Sequence, residues 1–196
     1  MRLTRRSQPN GFTFIELIVA GTLFTVISLI ALLWVTSTMT LWSTTSTQDM
    51  LREAAEQTMN RMVSELRNAT RTATVSPPNP NATIPAAPGN TTITFYLPVK
   101  NPDGSITDNI GNTQWGLPTP TAIQYTYVPA AKQVRRVSGA STIVYGNDVQ
   151  SLTFDDVTTN ASLYNNEVRI ALTLQKTTTE QRTVSARATS IVKLRN

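Results

Sequence analysis

An α+β fold, one long N-terminal helix packed on an antiparallel β-sheet, is predicted from three observations. No proline or glycine interrupts the chain from Thr22 to Val75. Five of the eleven prolines then fall within Ser76 to Asn90, SPPNPNATIPAAPGN. Beyond them, short β-branched and aromatic runs alternate with turn clusters to the end of the chain, the pattern of strands rather than helices. At 196 residues the chain has room for one globular domain and one long extra element, since single domains usually hold about 100–200 residues.

The helix opens in a segment unlike the rest. Residues 1–11, MRLTRRSQPNG, are basic and polar, whereas residues 12–35, FTFIELIVAGTLFTVISLIALLWV, are apolar with a single charge at Glu16. A run of this length is roughly 36 Å as a helix, enough to cross the ~30 Å hydrocarbon core of a bilayer. Arg2, Arg5 and Arg6 place the N-terminus on the cytoplasmic side by the positive-inside rule and send the remainder outward. An ordinary secretory signal has an apolar stretch of about 7–15 residues and a small-x-small cut site, neither of which is present. A plain single-pass anchor explains the length but not Glu16, because a carboxylate deep in lipid costs at least ~2.5 kcal/mol. Glu16 therefore needs a partner, or else sits protonated near the lipid interface.

From 36 to 75 the helix continues as an amphipathic element. Leu51, Ala55, Met59, Met62 and Leu66 recur at three- and four-residue spacing, the apolar stripe of a helix with one buried face. Arg52 with Glu56, and Arg61 with Glu65, stand four apart on the solvent side, each pair contributing a few tenths of a kcal/mol. The simplest expectation is one helix from Phe12 to Arg71, roughly 90 Å long. It ends before the proline-rich loop of residues 76–90, because proline stops a helix and favours extended backbone.

Residues 91–196 form the β-rich globular domain. Strands are expected at Thr91 to Leu97, Ala122 to Val128, Gln133 to Ser138, Thr142 to Tyr145, Val149 to Phe154, Glu167 to Gln175 and Arg182 to Leu194. Asn101-Pro-Asp-Gly104, Pro129-Ala-Ala-Lys132 and Tyr145-Gly-Asn-Asp148 punctuate them as turns. Val168, Ile170, Leu172 and Leu174 alternate with polar residues, as do Val184, Ala186 and Ala188, so those strands show one face to a core and one to water. The core partner is the apolar stripe of the outer helix.

Composition removes several classes of chemistry. There is no Cys and no His, hence no thiolate nucleophile, none of the usual zinc ligands and not the commonest general base. No GxxxxGK[ST] phosphate loop is present, and neither a catalytic residue, a metal site nor a cofactor is assigned. Net charge is +5, but without the three arginines of residues 1–11 it is 14 basic against 12 acidic residues, or +2, too little to imply a polyanion partner.

Three local features bear on binding. Asn101 to Gly111 holds Asp103 and Asp108 among amide and carbonyl oxygens, superficially a calcium loop, but without the EF-hand spacing and with the residues turns require anyway. Asp155 and Asp156 are adjacent on a strand and so point to opposite faces; a strand-end turn accounts for them better than an acid pair. Arg135, Arg136, Lys193 and Arg195, with Trp115, Tyr125 and Tyr127, supply cations and rings for a nucleic acid, yet form no concentrated basic stripe.

Gly11-Phe12-Thr13-Phe14-Ile15-Glu16-Leu17, following a basic leader and opening an unbroken apolar run, resembles the processing signature of type IV prepilins and type II secretion pseudopilins. The resemblance implies a pilin-like fold, cleavage between Gly11 and Phe12 by the membrane prepilin peptidase, N-methylation of Phe12, and charge pairing of Glu16 with the Phe12 amine of a neighbouring subunit during assembly. Gly21, Thr22, Thr25 and Ser28 are small or hydroxylated residues that let such helices approach. Ile123, Tyr125 and Tyr127, Arg135-Arg136, Val149 to Phe154, and Val168, Ile170 and Leu172 look like the C-terminal domain of the W-type minor pilins and J-type minor pseudopilins, over most of residues 120–196. That likeness implies a subunit priming assembly of a pilus or pseudopilus. Its partners would be other pilin-like subunits and an inner-membrane platform driven by a cytoplasmic ATPase. It also implies residence in the inner membrane, single-pass, and then in the fibre. The alternative is a tip adhesin or DNA-binding subunit of a DNA-uptake fibre.

Overall fold

A computed structural model describes residues 13–70, 82–85, 89–107, 113 and 121–195. Helix α1, Phe14–Leu66, runs for 53 residues. The chain divides into two compact units at Ser43/Thr44.

In the first unit α1 presents only exposed side chains from Phe14 to Met39, and this stretch is long and apolar enough to cross a membrane. Several of its hydroxyls donate to the helix's own carbonyls. Thr22 Oγ1 donates to the Val19 carbonyl at 2.9 Å, Thr25 Oγ1 to Thr22 at 2.8 Å, and Thr38 Oγ1 to Trp34 at 2.8 Å. Internal satisfaction of this kind removes the cost of placing a hydroxyl among apolar neighbours or lipid.

In the second unit the outer part of α1 buries Leu51, Ala55, Thr58, Met59, Met62, Val63 and Leu66, the expected stripe widened by one threonine and one valine. α1 ends at Leu66, five residues before the expected Arg71. The cause is tertiary: Ala69 and Thr70 are pulled into the core. The Ala69 carbonyl accepts from Arg195 N at 2.8 Å, and Thr70 Oγ1 donates to the Arg195 carbonyl at 2.9 Å. The chain beyond the last strand, at Arg195, thus competes for the backbone after Leu66.

Among the described residues seven strands follow: β1 Thr92–Phe95, β2 Ile123–Val128, β3 Gln133–Ser138, β4 Ser141–Gly146, β5 Val149–Asp155, β6 Glu167–Thr177 and β7 Thr183–Lys193. They form two antiparallel sheets, β1-β2-β3-β4 and β5-β6-β7, where one sheet was expected. Gly146 and Asp148, the latter in the left-handed region at φ 58°, turn the chain out of β4, and β5 pairs with β6 instead. The other edge of β5 takes scattered bonds. Val149 N donates to Lys132 O at 2.9 Å, Phe154 N donates to Asn90 O at 2.8 Å, and Tyr127 Oη donates to Gln150 O at 2.9 Å.

Both sheets turn their apolar rows to α1. Ile93, Phe95, Tyr125 and Val134 from the first join Val149, Leu152, Phe154, Val168, Ile170, Leu172 and Leu174 from the second in one buried cluster with the helix stripe. Fully burying a side chain of this size contributes about 1.5–3 kcal/mol. Helix and sheet approach closely at Gly146, where an added Cβ would lie 2.9 Å from Thr58 Oγ1 and 3.1 Å from its Cγ2. Thr58 Oγ1 there donates to the Tyr145 carbonyl at 3.1 Å.

Gly146→Ala should therefore destabilise the second unit by about 1–3 kcal/mol, the usual cost of overpacking. Thr58→Ala in the same chain removes both crowding atoms. The double variant is expected to melt above the Gly146→Ala single variant in thermal unfolding of the full chain in detergent. Strictly additive losses would mean that the contact is not the cause.

Candidate functional site

Two carboxylates on α1 sit in chemically distinct surroundings. Glu16 occupies the first turn and is exposed. Thr13 N donates to Glu16 Oε2 at 2.8 Å, Thr13 Oγ1 donates to the same oxygen at 2.9 Å, and Glu16 N donates to Thr13 Oγ1 at 3.4 Å. This reciprocal arrangement is a capping box, which satisfies amides that the first helical turn leaves without partners. The signature is the T-x-x-E of Thr13 to Glu16, a local capping role in addition to the intersubunit and lipid-interface roles expected of Glu16. Gly11 and Phe12 lie outside the described residues.

Glu65 stands beside the buried stripe, one residue before Leu66. It was expected to pair with Arg61 on the solvent side; instead it faces the first sheet. Tyr125 Oη and Arg136 Nε donate to Glu65 Oε2 at 2.7 and 2.9 Å, and Tyr145 Oη donates to Oε1 at 2.8 Å. The rings of Phe95, Tyr125 and Tyr145 pack in series, with centroids 5.1 and 5.4 Å apart. Burial pushes the Glu65 carboxyl upward, but the bonds from Arg136, Tyr125 and Tyr145 outweigh it and leave its pKa below the ordinary carboxylate value. Burial first, then the hydrogen bond to Glu65 and then its charge, push both tyrosine hydroxyls above their ordinary range. Every donor keeps its proton, so the cluster is a charge-assisted clasp between α1 and strands β2, β3 and β4.

The signal for this clasp lies in β3. Val134 is buried, and Arg136 follows it on the same row because side chains on a strand alternate. An arginine on an inward row requires a carboxylate. The exposed pair Arg52–Glu56 does form, at 3.3 Å.

The other candidates resolve separately. Arg135 accompanies Arg136 in sequence but turns to Gln133 Oε1, at 3.2 and 3.0 Å. Tyr125 is fully buried and the Tyr127 hydroxyl is bound to β5 carbonyls, so neither ring is laid open for base stacking; Trp115 lies outside the described residues. Asp155 binds Arg169 Nη2 at 2.7 Å, while Asp156 is buried and accepts from Thr158 N at 2.9 Å in a turn. In the Asn101 loop, Asp103 Oδ1 accepts from Ser105 N at 2.9 Å, and Gly104 takes φ 83°. Asp108 and Gly111 lie outside the described residues. Among the described residues no three acidic side chains converge on a metal site.

The chain matches no family model, no curated protein and no solved structure.

Because the native Glu65 pKa is depressed, its contribution is present above the unfolded carboxylate pKa of about 4.3 and is lost as pH falls through the lower native value. Glu65→Gln should cost about 1–3 kcal/mol at neutral pH, the range for hydrogen bonds to a partly exposed charge. The difference in melting temperature between parent and variant should narrow on acidification below about pH 4. A gap that stays constant with pH would assign the loss to shape rather than charge.

Proposed function

We propose that this chain is a membrane-inserted minor pilin or pseudopilin subunit, cut after Gly11 and built through its N-terminal helix into a type IV pilus or type II secretion pseudopilus. The observation that carries the reading is the inner part of α1. Phe14, Leu17, Phe24, Leu33 and Trp34 are each more than 60 % exposed, along a stretch whose one charge is Glu16. So continuous an apolar surface demands cover. Lipid covers it before assembly and neighbouring helices cover it afterwards.

Glu16 gives that exchange a register. The capping box holds its carboxylate on Thr13 N, one residue beyond the bond to be cut. Cleavage after Gly11 leaves a cationic amine on Phe12. Neither an ammonium nor a carboxylate is tolerated alone inside an apolar helix bundle, and removing one partner of a buried pair costs about 3–5 kcal/mol. An incoming subunit therefore stops where its carboxylate meets the amine of the subunit before it. The partners of this reading are other pilin-like subunits, the prepilin peptidase and an inner-membrane assembly platform. The energy source is external, because the chain has no phosphate-binding loop.

Cross-linking in intact cells, followed by mass spectrometry of the purified chain and its partners, tests the reading. It expects N-methylated Phe12 together with pilin-like subunits; an uncut N-terminus without such partners overturns it. Gly11→Glu should block processing and retain the leader, seen as a heavier membrane-bound band, and an unchanged mass would misplace the cut.

Glu16→Ala should leave cleavage intact and lower incorporation into fibres by on the order of tenfold or more, as the loss of a buried ion pair requires. Thr13→Ala serves as its control, because it removes the cap, worth about 1 kcal/mol, and keeps the carboxylate. Equal defects in the two variants would reduce Glu16 to a helix cap.

A further inference from the structure

The apolar run of α1 ends at Val35, yet the first charged side chain after Glu16 is Asp49. Between them, residues 36–43 carry five hydroxyl side chains together with Met39, Leu41 and Trp42. The hydroxyls do not commit this stretch to water. Thr36 Oγ1 donates to the Leu33 carbonyl at 3.0 Å, Thr38 Oγ1 to Trp34 at 2.8 Å, Thr40 Oγ1 to Thr36 at 2.8 Å and Ser43 Oγ to Thr40 at 3.0 Å. A hydroxyl bonded back to its own helix loses less on leaving water.

One face of this stretch stands apart. Residues seven apart are two turns apart and nearly in line on a helix, so Leu41 follows Trp34 and Trp42 follows Val35 along adjacent rows. Trp34 is 73 % and Trp42 77 % exposed, and Leu41 is exposed beside them. Close approach of membrane helices favours small side chains, and those lie earlier, at Ala20, Gly21, Thr22, Thr25 and Ser28. Two tryptophans where an apolar run gives way to hydroxyls fit another surface. An indole has an apolar body and a polar N–H, and is favoured in the layer between hydrocarbon and water.

The spacing agrees with that layer. With Glu16 at the cytoplasmic boundary of the hydrocarbon, a core of ~30 Å takes about 20 residues and ends beside Thr36. Trp34 then lies just inside the far boundary. Trp42 is six residues, or about 9 Å, beyond Thr36, and the headgroup layer is roughly 5–8 Å deep on each side. Helical side chains lean toward the N-terminus, which returns the Trp42 ring to that layer.

We infer that residues 36–43 of α1 lie in the outer headgroup layer and are held there by Trp34 at its hydrocarbon edge and Trp42 at its water edge. The partner is a zwitterionic phospholipid surface, because no charged side chain from Leu17 to Gln48 is present to select an anionic one. The inference rests on the membrane insertion proposed above, and not on cleavage after Gly11.

The test uses the full chain inserted in phosphatidylcholine vesicles, with tryptophan fluorescence as the readout. Trp34→Phe with Trp115→Phe leaves Trp42 as the reporter, and Trp42→Phe with Trp115→Phe leaves Trp34. Bromine at successive depths on the acyl chains and a nitroxide on the choline headgroup serve as quenchers. Trp34 is expected to be quenched best by the shallowest acyl bromine and Trp42 best by the headgroup nitroxide. The two rings should lie about 11–12 Å apart in depth, the rise of eight helical residues tilted by up to about 20°. Quenching of Trp42 best by mid-chain bromine overturns the inference, as does quenching by aqueous iodide with none from the headgroup label; in either case a response of Trp34 to acyl bromine leaves membrane insertion standing. If neither tryptophan responds to any lipid label, insertion itself fails and the inference with it. Headgroup quenching of Trp42 that appears only when the chain is diluted in lipid makes a second copy the cover of this face, and equally overturns the inference.

Discussion

Both sheets of the globular unit rest on one helix face. The first has Ile93, Phe95, Tyr125 and Val134 to bury, the second has the row from Val168 to Leu174, and the shared apolar layer is the stripe of α1 from Leu51 to Leu66. An antiparallel sheet with one apolar face must place it against another layer. Two sheets facing a single helix are consequently interdependent: displacing that stripe uncovers both at once. Several polar contacts of the unit reinforce the same helix. Thr58 reaches the backbone at the end of β4, Glu65 holds three side chains of the first sheet, and the turn after Leu66 is tied to Arg195.

The Glu65 clasp adds direction to that packing. Apolar contacts between helix and sheet tolerate sliding, whereas a carboxylate receiving Tyr125, Arg136 and Tyr145 within 2.9 Å has one position that satisfies all of them. Arg136 brings fixed donor geometry, and the tyrosines bring rings that fill the surrounding apolar space. Partial burial, with Arg136 15 % and Glu65 26 % exposed at the side chain, keeps the desolvation cost below that of a fully interior pair. Register between α1 and the first sheet is thus set by hydrogen bonds, while adhesion comes from the stripe and the three aromatic rings.

Periodicity made the secondary structure legible almost throughout. The three- and four-residue spacing from Leu51 to Leu66 named the buried helix face, and the period-two rows of β6 and β7 named their inward residues, because both patterns are local consequences of backbone geometry. What was not legible was non-local. Nothing near Arg71 in sequence announces that Arg195 will claim the backbone after Leu66. Gly146 meets Thr58 across 88 positions of sequence, a contact that no local pattern encodes, and the pairing of β5 with β6 rather than with β4 is likewise a tertiary choice. Glu65 was misread for a related reason: its spacing from Arg61 satisfied a helix-surface rule, and the stronger claim of Arg136 came from another element. At the N-terminus the apolar run and Glu16 were plain in sequence. The capping role was equally present in Thr13 to Glu16, and was eclipsed by the charge argument.

Glu16 is an exposed charge at the head of a bare apolar helix, beside surface that the single chain leaves uncovered. A charge in such a position weakly opposes indiscriminate burial, because covering it without a partner strands it away from water. It also selects among possible covers, since only one carrying the opposite charge at the right depth recovers that cost. Apolar area supplies the drive to associate and the charge supplies the register. Glu65 with Arg136 shows that logic completed within one chain, where the stripe provides adhesion and the ion pair fixes position. The same division of labour, extended across chains, is what the proposed stacking of helices through Glu16 relies on.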